Sequence, residues 1–397
     1  MSGLDRRRLL RATAALVLAA GLAACTAPGG NGSAPASSGG GNEGLPPTIK
    51  ILSTRALTGP VSFAGINAQK GIDLAVEEIG ADGLLGGSTL AVETKDVAAS
   101  TQEAASFASQ AIADPSYVAI LGPEASAQAA AVSPIAQSAG MPVVYVQAGS
   151  DGVLVGDYTF RVTPPAESYF GATGSLLEER GVATASVLFN SGNPTLAELG
   201  ETTVPALAAE HGITVTGSVG VEVTAQDFTT AASQIAAQAP DAAFLLLTGP
   251  QNPVAITQLR QAGFTGEILG MSSMGAGNLA PAGQQAAGAV WPTNFTASQT
   301  APSSQEFVRA YQAKYGGELP NNYAAEAYDA VWFLARGIAQ ANSSDRAAVR
   351  QGLDAIAREG FAGAQGELTF DGHDARVPGV LVRWDGAAET VISGGTS

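Results

Sequence analysis

Cysteine is nearly absent from this sequence: Cys25 is the single one in 397 residues. A disulfide framework and a zinc ribbon are therefore excluded. Histidine is almost as scarce. His211 and His373 are the only two, too few and too far apart for most histidine-based metal or triad chemistry. Basic side chains are outnumbered, 19 against 35 acidic ones, for a net charge of -16. A surface of that sign repels a phosphate backbone, so no nucleic-acid partner is expected. Signature loops are missing as well: there is no P-loop and no Gly-x-Ser-x-Gly elbow. Gly275-Ala276-Gly277-Asn278-Leu279-Ala280 matches a dinucleotide fingerprint in spacing, yet the required acidic residue about 20 positions later is not there. Asp371-Gly372-His373-Asp374 reads as a turn between strands rather than a metal site. No catalytic residue, metal or cofactor is expected.

What is present is apolar. Hydrophobic residues make up 46% of the chain and charged ones 14%, so wholesale disorder is ruled out, and the length suggests two domains with a core each. Residues 1–24 hold a basic stretch, Asp5-Arg6-Arg7-Arg8-Leu9-Leu10-Arg11, then an Ala/Leu-rich run from Ala12 to Ala24. That is a secretory signal, too short for a transmembrane helix of about 20 apolar residues. Leu22-Ala23-Ala24-Cys25 resembles a bacterial lipobox, making Cys25 a lipidation site and the protein a membrane-anchored lipoprotein. Arg6-Arg7 leaves the twin-arginine and general export routes both open. Residues 1–24 carry four arginines and one aspartate, so their removal takes the net charge from -16 to -19. Residues 25–47 are mostly Gly, Ser, Ala, Pro and Asn and read as a flexible tether. The expected place of the body is the outer face of the cytoplasmic membrane.

From residue 48 onward, short β-branched runs alternate with amphipathic ones. Strands are predicted at Ile49–Thr54, Leu90–Thr94, Tyr117–Leu121 and Pro142–Val146, with helices at Gly65–Ile79, Thr101–Ala113 and Ala127–Ala139. The pattern restarts with strands at Ser186–Phe189, Thr214–Val219, Ala242–Leu247 and Glu267–Leu269. Helices between them are predicted near Glu167–Arg180, Leu196–His211, Asp227–Gln238 and Pro253–Ala262. A late block adds helices at Ser304–Tyr315, Tyr323–Ala341 and Ala347–Arg358, then strands at Glu367–Phe370 and Val377–Trp384. Uncharged runs such as Val118-Ala119-Ile120-Leu121 suit strands buried on both faces. The fold class is α/β, two doubly wound parallel-sheet lobes joined by a multi-strand hinge, with ligand at the carboxyl ends of the strands. Crossings are expected at Arg161–Pro164, Trp291–Phe295 and Phe370–Asp374. One lobe then takes 48–161 plus 295–370, the other 162–294 plus 371–393.

Several segments, in this order and spacing, resemble type I periplasmic solute-binding proteins of the branched-chain amino-acid (Leu/Ile/Val-binding) ABC transporter family. They are Leu57-Thr58-Gly59-Pro60, Gly71-Ile72-Asp73-Leu74-Ala75-Val76, Ile120-Leu121-Gly122-Pro123, Ser133-Pro134-Ile135-Ala136, Phe160-Arg161-Val162 and Tyr323-Ala324-Ala325-Glu326-Ala327-Tyr328-Asp329-Ala330. The resemblance covers nearly all of residues 48–393. It implies a type I periplasmic binding fold, a small-molecule solute, a permease and ATPase complex as partner, a membrane contact through the Cys25 lipid, and a monomer without enzymatic activity. A ligand sensor on the same fold, or an enzyme on a small substrate, are the alternatives.

In that family the first lobe holds the ligand carboxylate through two strand-end loops, here Pro123-Glu124-Ala125-Ser126 and Gln147-Ala148-Gly149-Ser150. The expected contacts are Ser126 near a helix N-terminus and Ala148, Gly149 and Ser150 in a Gly-containing turn. Charge-assisted hydrogen bonds of roughly 1.5–3 kcal/mol each bring a ligand to micromolar affinity, about -8 kcal/mol, with three or four contacts. Phe63 is a candidate apolar wall. In the second lobe the family's two tyrosines and its acidic partner for the ligand ammonium fall on Pro194, Pro250 and Ser272, and no Asp or Glu lies between Glu267 and Glu306. This puts an α-amino acid ligand in question, and a related carboxylate or amide becomes an option. Asn193, Thr248, Gly249, Asn252, Ser272 and Ser273 are the polar groups expected to face the solute. Tyr323, Tyr328, Trp332 and Phe333, at helical spacing, are expected in the core.

Overall fold

The computed structural model describes residues 44–59, 61–165 and 167–394. The signal segment, Cys25 and the tether as far as residue 43 lie outside the described residues. Strands β1 Thr48–Arg55, β2 Thr89–Asp96, β3 Tyr117–Leu121, β4 Val143–Tyr145 and β5 Thr159–Arg161 form one parallel array, with helices α1 Ser62–Asp82, α2 Thr101–Ala113 and α3 Ser126–Ala139 between them. A second array follows: β6 Thr184–Asn190, β7 Thr214–Val221, β8 Ala242–Leu246, β9 Glu267–Leu269 and β10 Val290–Thr293. Its helices are α4 Glu167–Glu179, α5 Pro194–Glu198, α6 Val204–Glu210, α7 Thr229–Gln238 and α8 Gln251–Gln261.

The chain then supplies α9 Pro302–Lys314, α10 Asn322–Ala341 and α11 Arg346–Glu359 before the closing strands. These are β11 Phe361–Gly363, β12 Gly366–Asp371, β13 Asp374–Arg376, β14 Val380–Trp384 and β15 Glu389–Gly394. The first sheet has eight strands in the order β11-β12-β13-β5-β4-β3-β1-β2, the second seven in the order β15-β14-β10-β9-β8-β6-β7. Both are mixed: the parallel arrays carry antiparallel additions at one edge. Val118-Ala119-Ile120-Leu121 is buried as its lack of charge requires, because helices cover both faces.

Three details position the cavity. Asn321 caps α10 by accepting the Ala324 N–H at 3.0 Å, which fixes where that helix begins. Gly71 on α1 is what lets α10 come close: a Cβ there would stand 2.0 Å from the Ala324 carbonyl oxygen. The predicted helix over Leu196–His211 is present but widened, with a five-residue π turn at Leu199–Thr203. Pro205, without an N–H, cannot continue the regular ladder.

Sequence reasoning passes over β5, β10, β11, β13 and β15. Residues 371–393 do not all join the second sheet, either. Asp374 of β13 pairs with Arg161 of β5 in register, and its carboxylate takes Nε and Nη2 of Arg161 at 2.7 Å each. That two-pronged bond keeps β13 in the first sheet, so the last crossing falls between Arg376 and Val380, beyond the expected 370–374. Asp371–Asp374 itself is the tight link between β12 and β13, with Gly372 at φ 61°.

Two glycines within α1, Gly71 buried and Gly80 exposed, give a direct test of the close approach. A helical Gly→Ala change normally stabilises by up to about 1 kcal/mol. At Gly80, where nothing lies within 4 Å of a new Cβ, Ala should do so. At Gly71 the same change should cost about 1–3 kcal/mol by overpacking. Urea unfolding of the two variants should move the midpoint in opposite directions.

Candidate functional site

A cavity of about 490 Å³ lies where the carboxyl ends of both parallel arrays meet. The first sheet and its helices contribute Phe63, Glu124, Ser126, Gln147, Thr163, Tyr323 and Glu326; the second contributes Tyr169, Asn193, Thr195, Thr248 and Ser272. Phe63 at the start of α1 and Tyr323 at the start of α10 meet edge to face, ring centres 6.1 Å apart at 84°. The capped start of α10 and the Gly71 approach bring these two rings together.

Beside that aromatic wall lies a buried polar network. Glu326 is 2% exposed; its Oε1 accepts from Nδ2 of Asn294 at 2.8 Å and of Asn322 at 3.1 Å, and its Oε2 from the Thr163 hydroxyl at 2.9 Å. Burial outweighs these donors and pushes Glu326 up to about 7. The Asn294 amide also donates to Gln365, whose own N–H and Nε2 donate to Asp329. Asp329, fully buried, is likewise pushed up to about 7 by burial despite its backbone donors Ala364 and Gln365. Glu124 is raised by burial too, though Arg55 Nη1 at 3.1 Å and the Ala56 N–H at 3.1 Å pull the other way.

The serine pair predicted for the first lobe sits together, but it also meets the second lobe. Ser126 Oγ accepts the Ser150 N–H at 3.2 Å and lies 2.9 Å from Thr195 Oγ1, which is 3.2 Å from Ser150 Oγ. Thr195 belongs to α5, so three hydroxyls bridge the two sheets' loops. The Asp151 N–H adds a 3.3 Å bond to Glu198 of the same helix. Ser126 occupies the first turn of α3, where Ala125 is the cap residue and supplies no side-chain bond.

The other expected positions divide. Phe63, Ser126, Asn193, Gly249 and Ser272 line the cavity, and so do Pro194 and Pro250, where the resemblance would put tyrosines. Ala148, Gly149 and Ser150 stand behind the wall and Gln147 takes their place on it. The reason is Arg161, whose Nη1 draws in the carbonyls of Ala148 and Ser150 at 3.0 and 3.1 Å. Asn193 is occupied as the cap of α5, accepting the N–H groups of Thr195 and Leu196. Thr248 and Ser273 turn their hydroxyls to Gln251 and the Leu247 carbonyl, and Asn252 is buried away from the cavity. Tyr323, expected in the core with Phe333, lines the cavity instead. Sequence reasoning missed Glu124, Glu326, Thr163 and Tyr169. Glu326 alone carried a signal: a charge on the buried, alanine-rich face of α10.

A family model described as periplasmic binding protein matches residues 48–389. A Leu/Ile/Val-binding protein homolog 7 of Brucella abortus is 23% identical over 338 residues, covering 80% of this chain and 84% of its own. A leucine binding protein from Thermotoga maritima superposes with TM-score 0.78 at 26% identity, over 87% of this chain and 98% of that one. A solute binding protein of R. palustris in complex with benzoate has the same fold, with TM-score 0.80 at 20% identity over 87% and 96%.

The hydroxyl bridge predicts a measurable opening. Thr195→Val removes two inter-lobe hydrogen bonds, each worth about 0.5–1.5 kcal/mol net. The open population of ligand-free protein should rise on the order of tenfold, read as a larger radius of gyration in small-angle X-ray scattering. The two carboxylates raised to about 7, Glu326 and Asp329, predict a pH slope. Each binds its proton more tightly folded than unfolded, where Asp and Glu titrate near 3.9 and 4.3. Stability should therefore fall as pH rises from about 4 through 7. The depressed carboxylates, Asp96, Asp227 and Asp241 among them, act with the opposite sign and only below that window. Urea titrations at pH 5 and 8 should show this loss, and Glu326→Gln should make it shallower.

Proposed function

Because the chain belongs to the periplasmic binding protein family, as a type I solute-binding protein of the branched-chain amino-acid ABC branch, we propose that it captures a small polar solute for import. The solute, an amino acid or a related carboxylate or amide, occupies the inter-lobe cavity. A membrane permease with its ATPase then receives it. Lipidation at Cys25 would hold the protein at the outer face of the membrane, within reach of that permease. Family members are extracytoplasmic, and among the described residues no helix is long and apolar enough to cross a membrane.

The observation that carries this reading is one cavity walled by both lobes, with Thr163 and Asn294 of two inter-lobe crossings tied into its wall through Glu326. A solute filling it contacts both lobes at once, so binding shifts the lobes toward the closed form. The mechanism needs no reacting group. Solute docks on the α3 end of the first lobe, where free N–H groups favour an anion. The second lobe then closes over it and water leaves, which strengthens each polar contact.

A thermal-shift screen against amino acids, their deaminated acids, amides, urea and short polyols tests this. A solute at 100 times its Kd adds about 2.7 kcal/mol, enough to raise Tm by several degrees. For the solute so found, Ser126→Ala with Ser150→Ala should weaken binding at least tenfold in calorimetry while leaving the far-UV spectrum native. Unchanged affinity would remove both serines from the site.

A further inference from the structure

We infer that the solute carries an ammonium group and that Glu326 of the first lobe, rather than an acidic residue of the second, receives it. This rests on the solute-binding reading above and supplies the acidic partner that the segment after Glu267–Leu269 lacks.

The charge balance of the cavity carries the argument. Glu124, Glu222 and Glu326 line it, and among its described lining residues there is no Lys, Arg or His. Glu124 is already matched, by Arg55 Nη1 and the Ala56 N–H. Glu222 is exposed, where water and salt screen it. Glu326 differs from both: it is buried on the cavity wall, and its three donors, Asn294, Asn322 and Thr163, are all neutral. Those donors fix the orientation of the carboxylate without cancelling its charge. Arg55, the buried cation whose field reaches Glu326, is paired to Glu124. One negative charge in the wall thus lacks a counter-charge, and a solute cation is what would provide it.

The rest of the wall suits such a group. Phe63, Tyr323 and Tyr169 give it aromatic surface, which attracts an ammonium through the ring faces. Gln147 Nε2, buried with no hydrogen-bond partner among the described residues, offers a donor for an acceptor on the same solute. The groups facing Glu326 are Glu124 from the β3–α3 loop, Arg55 at the end of β1, Thr163 after β5 and Asn294 after β10. Tyr323 and Asn322 do so from α10 itself. Only Arg55 among them is cationic.

A titrating carboxylate that must be ionised to receive a cation gives binding a pH signature. With Glu326 near 7 in the empty cavity, its ionised fraction rises about tenfold between pH 6 and 8, and apparent affinity rises with it. Binding at pH 7 should release about half a proton per solute.

The experiment uses the wild-type protein and Glu326→Gln with four probes: leucine, 3-methylbutylamine, 4-methylpentanoate and benzoate. Calorimetry is run at pH 6, 7 and 8 in two buffers of different ionisation enthalpy. The expected result is binding of leucine or the amine, about tenfold tighter at pH 8 than at pH 6, with proton release, and a loss of at least tenfold in Glu326→Gln. The wild-type pH dependence stands whether or not the variant folds. Binding of 4-methylpentanoate or benzoate alone, or proton uptake in place of release, overturns the inference and leaves the solute-binding reading intact. So does an ammonium-bearing probe that binds folded Glu326→Gln as tightly as wild type. No binding of these probes or of any solute in the thermal-shift screen overturns both.

Discussion

Glu326 is the point on which this structure turns. Its carboxylate takes hydrogen bonds from Thr163, just after β5, and from Asn294, just after β10. Those are two of the segments by which the chain passes from one sheet to the other. The same carboxylate lines the cavity. Any change in its charge or its partners therefore reaches the solute wall and the inter-lobe crossings together. The network continues through Gln365 to Asp329, so a second buried carboxylate belongs to the same connected set. Buried networks of this kind are rigid when fully satisfied and costly when one member is left over. Here two things are left over: the charge of Glu326, and Asn294 Oδ1, which is buried without a hydrogen-bond partner among the described residues.

The sheet and helix pattern was largely legible because it follows from burial. Parallel strands covered on both faces must be uncharged, and β3 and β8 are. The helices between them read at their expected spacing, with α2 bounded by the Ser100 cap that accepts the Glu103 N–H. What escaped has local causes. β10 contains Pro292, which cannot donate to a ladder, so the segment looks like a crossing rather than a strand. β13 is three residues long and owes its place to the Arg161–Asp374 pair, a contact across more than two hundred residues of sequence. No local pattern encodes that.

The cavity was legible by location more than by residue. Ser126, Phe63 and the second-lobe loops are where strand ends had to place them. The fine sorting depended on which polar groups already had partners. Arg161 turns the Ala148 and Ser150 carbonyls inward and leaves Gln147 on the wall. Asn193 is consumed as a helix cap. Such competition is decided in three dimensions, and a list of polar residues in a loop does not reveal it. Glu326 is the exception, since a carboxylate on the alanine face of an amphipathic helix breaks the pattern that helix otherwise keeps.

The three-hydroxyl contact of Ser126, Thr195 and Ser150 bears on how a solute can drive closure at all. A ligand shifts a conformational equilibrium only by its difference in affinity for the two states. Hydroxyls from both lobes already satisfy one another here, so this part of the interface closes without help and gives the solute little leverage. The leverage must come from groups that closure leaves incomplete. Gln147 Nε2 has no partner among the described residues, and Glu326 has partners without a counter-charge. Both lie in the first lobe, ready before the second arrives. A solute that satisfies them in a cavity still open to water gains little, because water competes for the same groups. Once the hydroxyl bridge forms and water is excluded, the same contacts strengthen. That increase is the differential affinity the solute needs. The neutral hydroxyl bridge therefore sets the resting balance between open and closed, while the charged end of the cavity makes that balance depend on what is bound.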